Sequence, residues 1–179
     1  MANARDHIRI RVMLDEKTFT DFAKFNTFKL QKSMTQPLRF CAVMLVFSLI
    51  CIVTGRPQSI TTAALLSLAG VGMPVYQQLR FKYSTRKSIR TFGLPREAYE
   101  LVLGEREVSI QSLAQGGNTA SLKWKEFHHV YRVDGCIYIF AMPQRAFLLP
   151  DGQAEDADAD ELWKWITRHM NKDKASDMR

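Results

Sequence analysis

Apolar and polar residues follow three different rhythms along this chain. In Ile8-Arg-Ile-Arg-Val-Met-Leu14 the apolar side chains Ile8, Ile10, Val12 and Leu14 share one face at a period of two, which predicts a half-buried strand. Thr18-Phe-Thr-Asp21 then has capping-box spacing, and Phe19, Phe22 and Phe25 recur at helical intervals. A short amphipathic helix follows, its Phe face expected against a folded domain in preference to a membrane surface. From Phe40 to Leu79 periodicity disappears, and the only charge is Arg56. This block reads as two helices, 38–55 and 57–79, broken by Gly55-Arg56-Pro57. The first has sixteen uncharged residues from Phe40, which span about 24 Å at 1.5 Å per residue. Leu38 and a snorkelling Arg39 extend it towards the roughly 30 Å of a bilayer core. The second is long enough to cross with some tilt.

From Tyr99 the rhythm returns to short alternations. Strands are predicted at 99–103, 107–113, 120–125, 128–133, 136–142 and 146–149, separated by Gly104, Gly116-Gly117-Asn118, Asp134-Gly135, Pro143 and Pro150-Asp151-Gly152. Asp134-Gly135 is the strongest hairpin signal. Asp160–Met170 is predicted as a helix with Leu162, Trp165, Ile166 and His169 on one face. Antiparallel strands closed by one C-terminal helix are the order of a pleckstrin-homology-like (PH-like), partly open β-barrel. The strand at Ile8–Leu14 is expected to fold back onto that sheet.

Charge sharpens this picture. The 179-residue chain has 25 Lys and Arg, 18 Asp and Glu, and a net charge of +7. The excess flanks the uncharged block, with Lys24, Lys29, Lys32 and Arg39 before it and Arg80, Lys82, Arg86, Lys87 and Arg90 after it. By the positive-inside rule both termini lie in the cytoplasm of a two-span membrane protein. A soluble hairpin would need a larger chain to wrap it, and a signal peptide would not begin near residue 40. The fold class is therefore an α+β membrane protein: a transmembrane hairpin with a cytosolic PH-like domain. Its parts are 1–37 (strand and amphipathic helix), 38–79 (hairpin), 80–98 (basic juxtamembrane segment), 99–170 (PH-like domain) and 171–179 (disordered tail).

Small residues predict how the spans meet. Cys41, Ser48 and Gly55 lie on one stripe of the first helix, and Ala63, Ser67 and Gly70 on one stripe of the second, as close packing in lipid requires. Neither span holds an ionisable group of the kind that marks an ion pathway. Three cysteines make no disulfide framework, and Cys41 and Cys51 stand too far apart on one helix to pair. Arg80, Lys82, Arg86, Lys87 and Arg90, interleaved with Phe81 and Tyr83, are assigned to anionic lipid headgroups. Nucleic acid would also suit such a patch, but the position beside a span favours lipid.

Searches for catalytic chemistry return little. The sequence has no G-x-S-x-G, H-E-x-x-H, phosphate loop or paired C-x-x-C. His128 and His129 are adjacent in an expected strand, so their side chains should point to opposite faces and not share a metal. Asp156, Asp158 and Asp160 imitate the start of a calcium loop, but Glu161 occupies the glycine position and Thr167 the final ligand position. Acidity at a helix N-terminus explains them better. No cofactor, metal or catalytic group is expected. Trp163 and Trp165 lie two apart on a helix, so at least one is expected at the surface as a partner contact.

The run Leu122-Lys-Trp124-Lys-Glu-Phe127-His-His-Val130-Tyr-Arg-Val-Asp-Gly-Cys-Ile137-Tyr138-Ile-Phe, with Ala146-Phe-Leu-Leu-Pro150 and the terminal helix, resembles the bacterial YcxB-like family. Asp151 stands where that family often has a basic residue. The resemblance implies a strand and helix, a two-span hairpin and a PH-like domain in the bacterial inner membrane. It implies architecture more than chemistry. Two functions fit: a non-enzymatic module whose PH-like domain binds a protein partner or inner-leaflet lipid, and an immunity protein neutralising a toxin that acts on the inner membrane.

Overall fold

A computed structural model describes residues 7–55, 57–113, 117–143, 145–155 and 157–179. Arg56, Gly116 and Asp156, which the sequence places in turns or in the calcium-like run, lie outside the described residues. The fold is α+β and divides into two compact units. One joins the chain up to Phe22 with Gly93–Arg179, and the other is Ala23–Phe92.

The first unit is built on strands. β1 (His7–Leu14) lies antiparallel to β2 (Arg96–Gly104), which continues through β3 (Glu107–Ser112) to β4 (Thr119–Lys123). The expected return of Ile8–Leu14 onto the sheet is observed, with Ile10 opposite Leu101 and Ile8 opposite Leu103. Its alternation explains why. Ile8, Ile10 and Val12 point into the core, while Arg9 and Arg11 on the other face meet Glu100 across the ladder at 3.2 and 4.0 Å. The strand therefore belongs to the same unit as residues 93–179, not to a separate segment 1–37.

A second sheet has the order β7-β6-β5-β8, from β5 (His129–Val133), β6 (Cys136–Met142), β7 (Arg145–Pro150) and β8 (Ala175–Asp177). Among the described residues the strands form two sheets and no closed barrel. The Asp134-Gly135 turn joins β5 to β6, Val133 pairing with Cys136 and Gly135 supplying φ of 76°. β8 corrects the expectation of a disordered tail: residues 175–177 pair in parallel with Val130–Arg132. This tail has little apolar content, and its docking rests on backbone ladder bonds and charge, neither of which a hydrophobic pattern records.

Two helices complete the unit. α1 (Glu16–Lys24) is capped by Asp15, whose Oδ1 accepts the Thr18 N–H at 2.7 Å, so the helix begins before the expected Thr18 box. Phe22 packs edge-on to Tyr138 at 5.3 Å between ring centroids, which places that part of the Phe face on the domain. α4 (Ala159–His169) is capped by Asp158, which accepts the Glu161 N–H at 2.7 Å. Leu162 and Ile166 of α4 join Val12, Leu101, Val108, Phe127, Val130, Ile137 and Leu149 in one core. Burying each such aliphatic side chain contributes roughly 1.5–3 kcal/mol.

The second unit is helical. A π-helix at Phe25–Leu30 leads into α2 (Thr35–Thr54), which ends at Gly55 with φ of 69°. α3 runs from Pro57 to Phe92 with Pro74 inside it. This extends the expected helix 57–79: the basic segment is helical through Phe92, and from Arg96 it is strand, because Gly93 at φ of 62° stops the helix. Both long helices are long and apolar enough to cross a membrane, and only 11% of the most apolar window of each is buried.

Candidate functional site

In the helical unit, small residues bring α2 and α3 together. Ser48 is buried, and its Oγ donates to the Ala63 carbonyl at 2.9 Å and lies 2.8 Å from Ser67 Oγ. Further along the seam, Gly70 leaves room for its neighbour: a Cβ there would stand 3.0 Å from Met44 Cβ and 3.4 Å from the Cys41 carbonyl. The expected residues Cys41, Ser48, Ala63, Ser67 and Gly70 thus meet in antiparallel order. Gly55 does not. It is the left-handed cap of α2, and a Cβ there would touch nothing of α3 among the described residues.

Continuity of α3 decides where the basic side chains point. At 100° per residue, Arg80, Lys82, Arg86, Lys87 and Arg90 fall within an arc of about 160°. All five are exposed. Tyr83, Arg86, Lys87, Arg90 and Thr91 line a depression of about 390 Å³ on this side. Arg80 stands at the edge of the arc, next to the strip that carries Gln77, Phe81 and Ser84. The sequence shows the cations but not their common side, since that depends on the helix running past Leu79.

The strand unit gathers a different charge cluster. Arg132 on β5 is only 5% exposed, and its guanidinium donates to the carboxylate of Asp160 on α4. Arg179 also reaches Asp160 at 3.6 Å and Asp177 at 3.0 Å, and the Met178 N–H donates to the Arg132 carbonyl at 2.8 Å. Hydrogen bonding from Arg132 holds the Asp160 carboxyl below its ordinary value, and that from Arg179 does the same for Asp177. Asp151 is pushed up by desolvation despite the nearby Arg132 and Arg179. The cluster fastens the C-terminal strand to the sheet. No hydrophobic pattern marks a buried arginine on the fifth strand or the strand it holds, and Asp151 and Asp160 stand out in the sequence for other reasons.

Trp163 and Trp165 are both half-buried against the core, so neither stands free. Arg132 lies over the Trp163 ring at 6.0 Å, and Trp165 packs beside His169 at 4.9 Å. Trp163 also borders an open groove of about 580 Å³ with Lys164, Thr167, Arg168, Ala175 and Asp177. His169 stacks on Trp124, whose Nε1–H donates to the Gly104 carbonyl at 2.9 Å. These contacts give the aromatic residues structural work.

The remaining reactive groups are held in quiet environments. Burial pushes the Cys136 thiol up to about 12, which keeps it protonated. Burial also raises Tyr99, whose hydroxyl accepts the Leu148 N–H and donates to the Leu148 carbonyl. His128 and His129 correct the expectation of opposite faces. β5 begins at His129, so His128 is outside the strand, and the rings stack with centroids 4.5 Å apart. Among the described residues no group of three or more His, Cys, Asp or Glu side chains could hold a metal ion. Compared with family models, with curated proteins and with solved structures, the chain matches none.

Proposed function

We propose that this chain is a non-enzymatic, membrane-anchored binding module: α2 and α3 cross the bacterial inner membrane, and the strand unit is a cytosolic PH-like domain held near an anionic leaflet, where it receives a protein partner. The observation that carries this reading is the pairing of β1 with β2. These strands precede and follow the hairpin in sequence, so the chain leaves one folded body and returns to it. Both flanks of the hairpin therefore lie on one side of any membrane it crosses. The Lys and Arg bias independently assigns that side to the cytoplasm. Support for anchoring comes from the exposed apolar surface of the helices, with Leu49, Ile50, Val53, Leu65 and Leu68 each more than half exposed.

The PH-like assignment rests on two antiparallel sheets followed by α4, and on the resemblance of residues 122–150 to the YcxB-like family. The basic arc on α3 supplies the headgroup contact. Each of its cations contributes about 1 kcal/mol on an anionic leaflet within a Debye length.

Two measurements test this reading. Alkaline carbonate extraction of membranes should leave the full chain in the pellet. Topology reporters inserted at residue 58 and fused after residue 179 should report opposite sides, with the C-terminus cytoplasmic. A chain released by carbonate, or a hairpin turn on the same side as the C-terminus, overturns it. Capture of a membrane-acting toxin by the solubilised chain would move the role from recruitment to immunity.

A further inference from the structure

The π-helix Phe25–Leu30 and the first basic turn of α3 border an open cavity of about 370 Å³, lined chiefly by Phe28, Gln31, Gln77, Arg80, Phe81 and Ser84. The Phe28 and Phe81 rings meet at 4.8 Å and form an apolar wall. Gln77 Nε2 donates to the Ser33 carbonyl at 3.4 Å and ties the entering chain to α3, where Lys32 turns with φ of 48°. Among the described residues Arg80 is the one charged side chain in the lining, and no carboxylate joins it. Asn26 Oδ1 and Ser33 Oγ, on the same entering segment, are buried without a protein partner. Neither atom lines the cavity, whose polar groups include those of Gln31, Gln77, Arg80 and Ser84.

We infer that this cavity is a specific site for one phospholipid: an anionic phosphodiester with a hydroxyl-bearing headgroup. The inference rests on the membrane reading above; it shares Arg80 with the basic arc and adds Phe28, Gln31, Gln77, Phe81 and Ser84, which the arc does not contain. One guanidinium matches the single charge of a phosphodiester, whereas a phosphomonoester or polyphosphate calls for several cations. The amides of Gln31 and Gln77 and the hydroxyl of Ser84 provide neutral hydrogen-bond partners for headgroup hydroxyls. The Phe28–Phe81 wall accepts the glycerol and first acyl carbons. An ammonium headgroup would face Arg80 with no carboxylate to neutralise it. The position is also right for a lipid, since Arg80 is the first charge after the uncharged run ending at Leu79.

Carbonate extraction first establishes whether the full chain is membrane-embedded, which separates failure of the anchoring reading from failure of the site. The embedded chain is then placed in nanodiscs of zwitterionic phosphatidylcholine and phosphatidylethanolamine doped with phosphatidylglycerol. Lipid retained after gentle release is counted by native mass spectrometry. Preferential retention of phosphatidylglycerol is expected. Arg80→Gln should lower it about tenfold, the effect of losing a charge-assisted hydrogen bond. The neutral double variant Gln31→Ala with Ser84→Ala should lower it about fivefold, which a diffuse field of charge does not predict. Circular dichroism checks that both variants remain helical. Wild-type retention by the neutral variant, with loss only when all five basic residues become Gln, overturns the cavity and leaves the arc. Equal retention of zwitterionic lipid overturns it too. So does displacement of the bound lipid by soluble glycerol phosphate, which would make the ligand a free phosphate.

Discussion

Leu101 and Leu49 are the same residue in regular structure, yet Leu101 is fully buried between two sheets and α4 while Leu49 is 62% exposed. The contrast runs through the two units. In the strand unit, aliphatic side chains alternate with charged ones and close a core. In the helical unit, over the uncharged run, they lie on every side of α2 and α3, and most stay exposed outside the small-residue seam. An aqueous protein hides one face of an element and solvates the other. A helix apolar on all sides needs a solvent as apolar as itself. The difference between the units is thus one of how much apolar surface each leaves exposed, and it can be attacked from either side.

Removing buried volume in the strand unit should have the largest effect. Ile10→Ala is expected to cost roughly 2–5 kcal/mol in the unfolding of residues 93–179, read by denaturant titration of intrinsic tryptophan fluorescence. Leu49→Ala should leave that transition where it was. An equal loss from both would mean that the units share one core. The complementary change is Leu49→Arg, which should disfavour membrane insertion by about 3 kcal/mol, measured as the inserted fraction in a translocation assay, without moving the tryptophan transition. Normal insertion of that variant would argue that α2 is not a span.

A smaller effect is expected at the seam. Ser48→Ala removes the hydrogen bonds to Ala63 and Ser67 and should weaken hairpin association by about 0.6 kcal/mol in lipid, with an upper bound of about 1.7 kcal/mol. Crosslinking between introduced cysteines on the two helices would read it. Gly70→Ile should loosen the seam more than Gly72→Ile, because a Cβ at Gly72 meets nothing within 4 Å.

The smallest effect concerns the C-terminal strand and depends on pH. Asp160 and Asp177 have folded-state values below the ordinary one of about 3.9. Their contribution to holding β8 is therefore complete above that value and is lost as pH falls through the lowered folded values. Asp151 runs the other way: its raised value means that mild acid first relieves an unfavourable carboxylate. Amide chemical shifts of Ser176 and Met178 should stay native until below about pH 3.9 and then move towards random coil. At pH 7, Asp160→Asn should speed hydrogen exchange across residues 172–179. Unchanged exchange would show that the ladder with β5 alone holds the strand.

Much of this molecule is legible in sequence because its patterns are local. Alternation at Ile8–Leu14, the Asp134-Gly135 turn and the apolar face of Asp160–Met170 each dictate their element within a few residues. The uncharged run and its basic flanks likewise dictate two helices suited to a membrane. Small residues marked the seam, except Gly55, where the same absence of a Cβ serves a left-handed cap. The fate of the stretch after Leu79 was less legible, since polar side chains on a solvated helix carry no hydrophobic period. Without that helix, the arc of five cations and the cavity beside Arg80 have no visible geometry.

Chain order and hydropathy by themselves determined most of the strands, the closing helix and the two long apolar helices. Only the tertiary structure decided that β1, which ends at Leu14, is the sheet neighbour of β2, which begins at Arg96, that Arg132 is buried to meet Asp160, and that the last residues return as β8. These are long-range pairings of backbone and charge. Their energy depends on where distant segments meet, which no local pattern of side chains encodes.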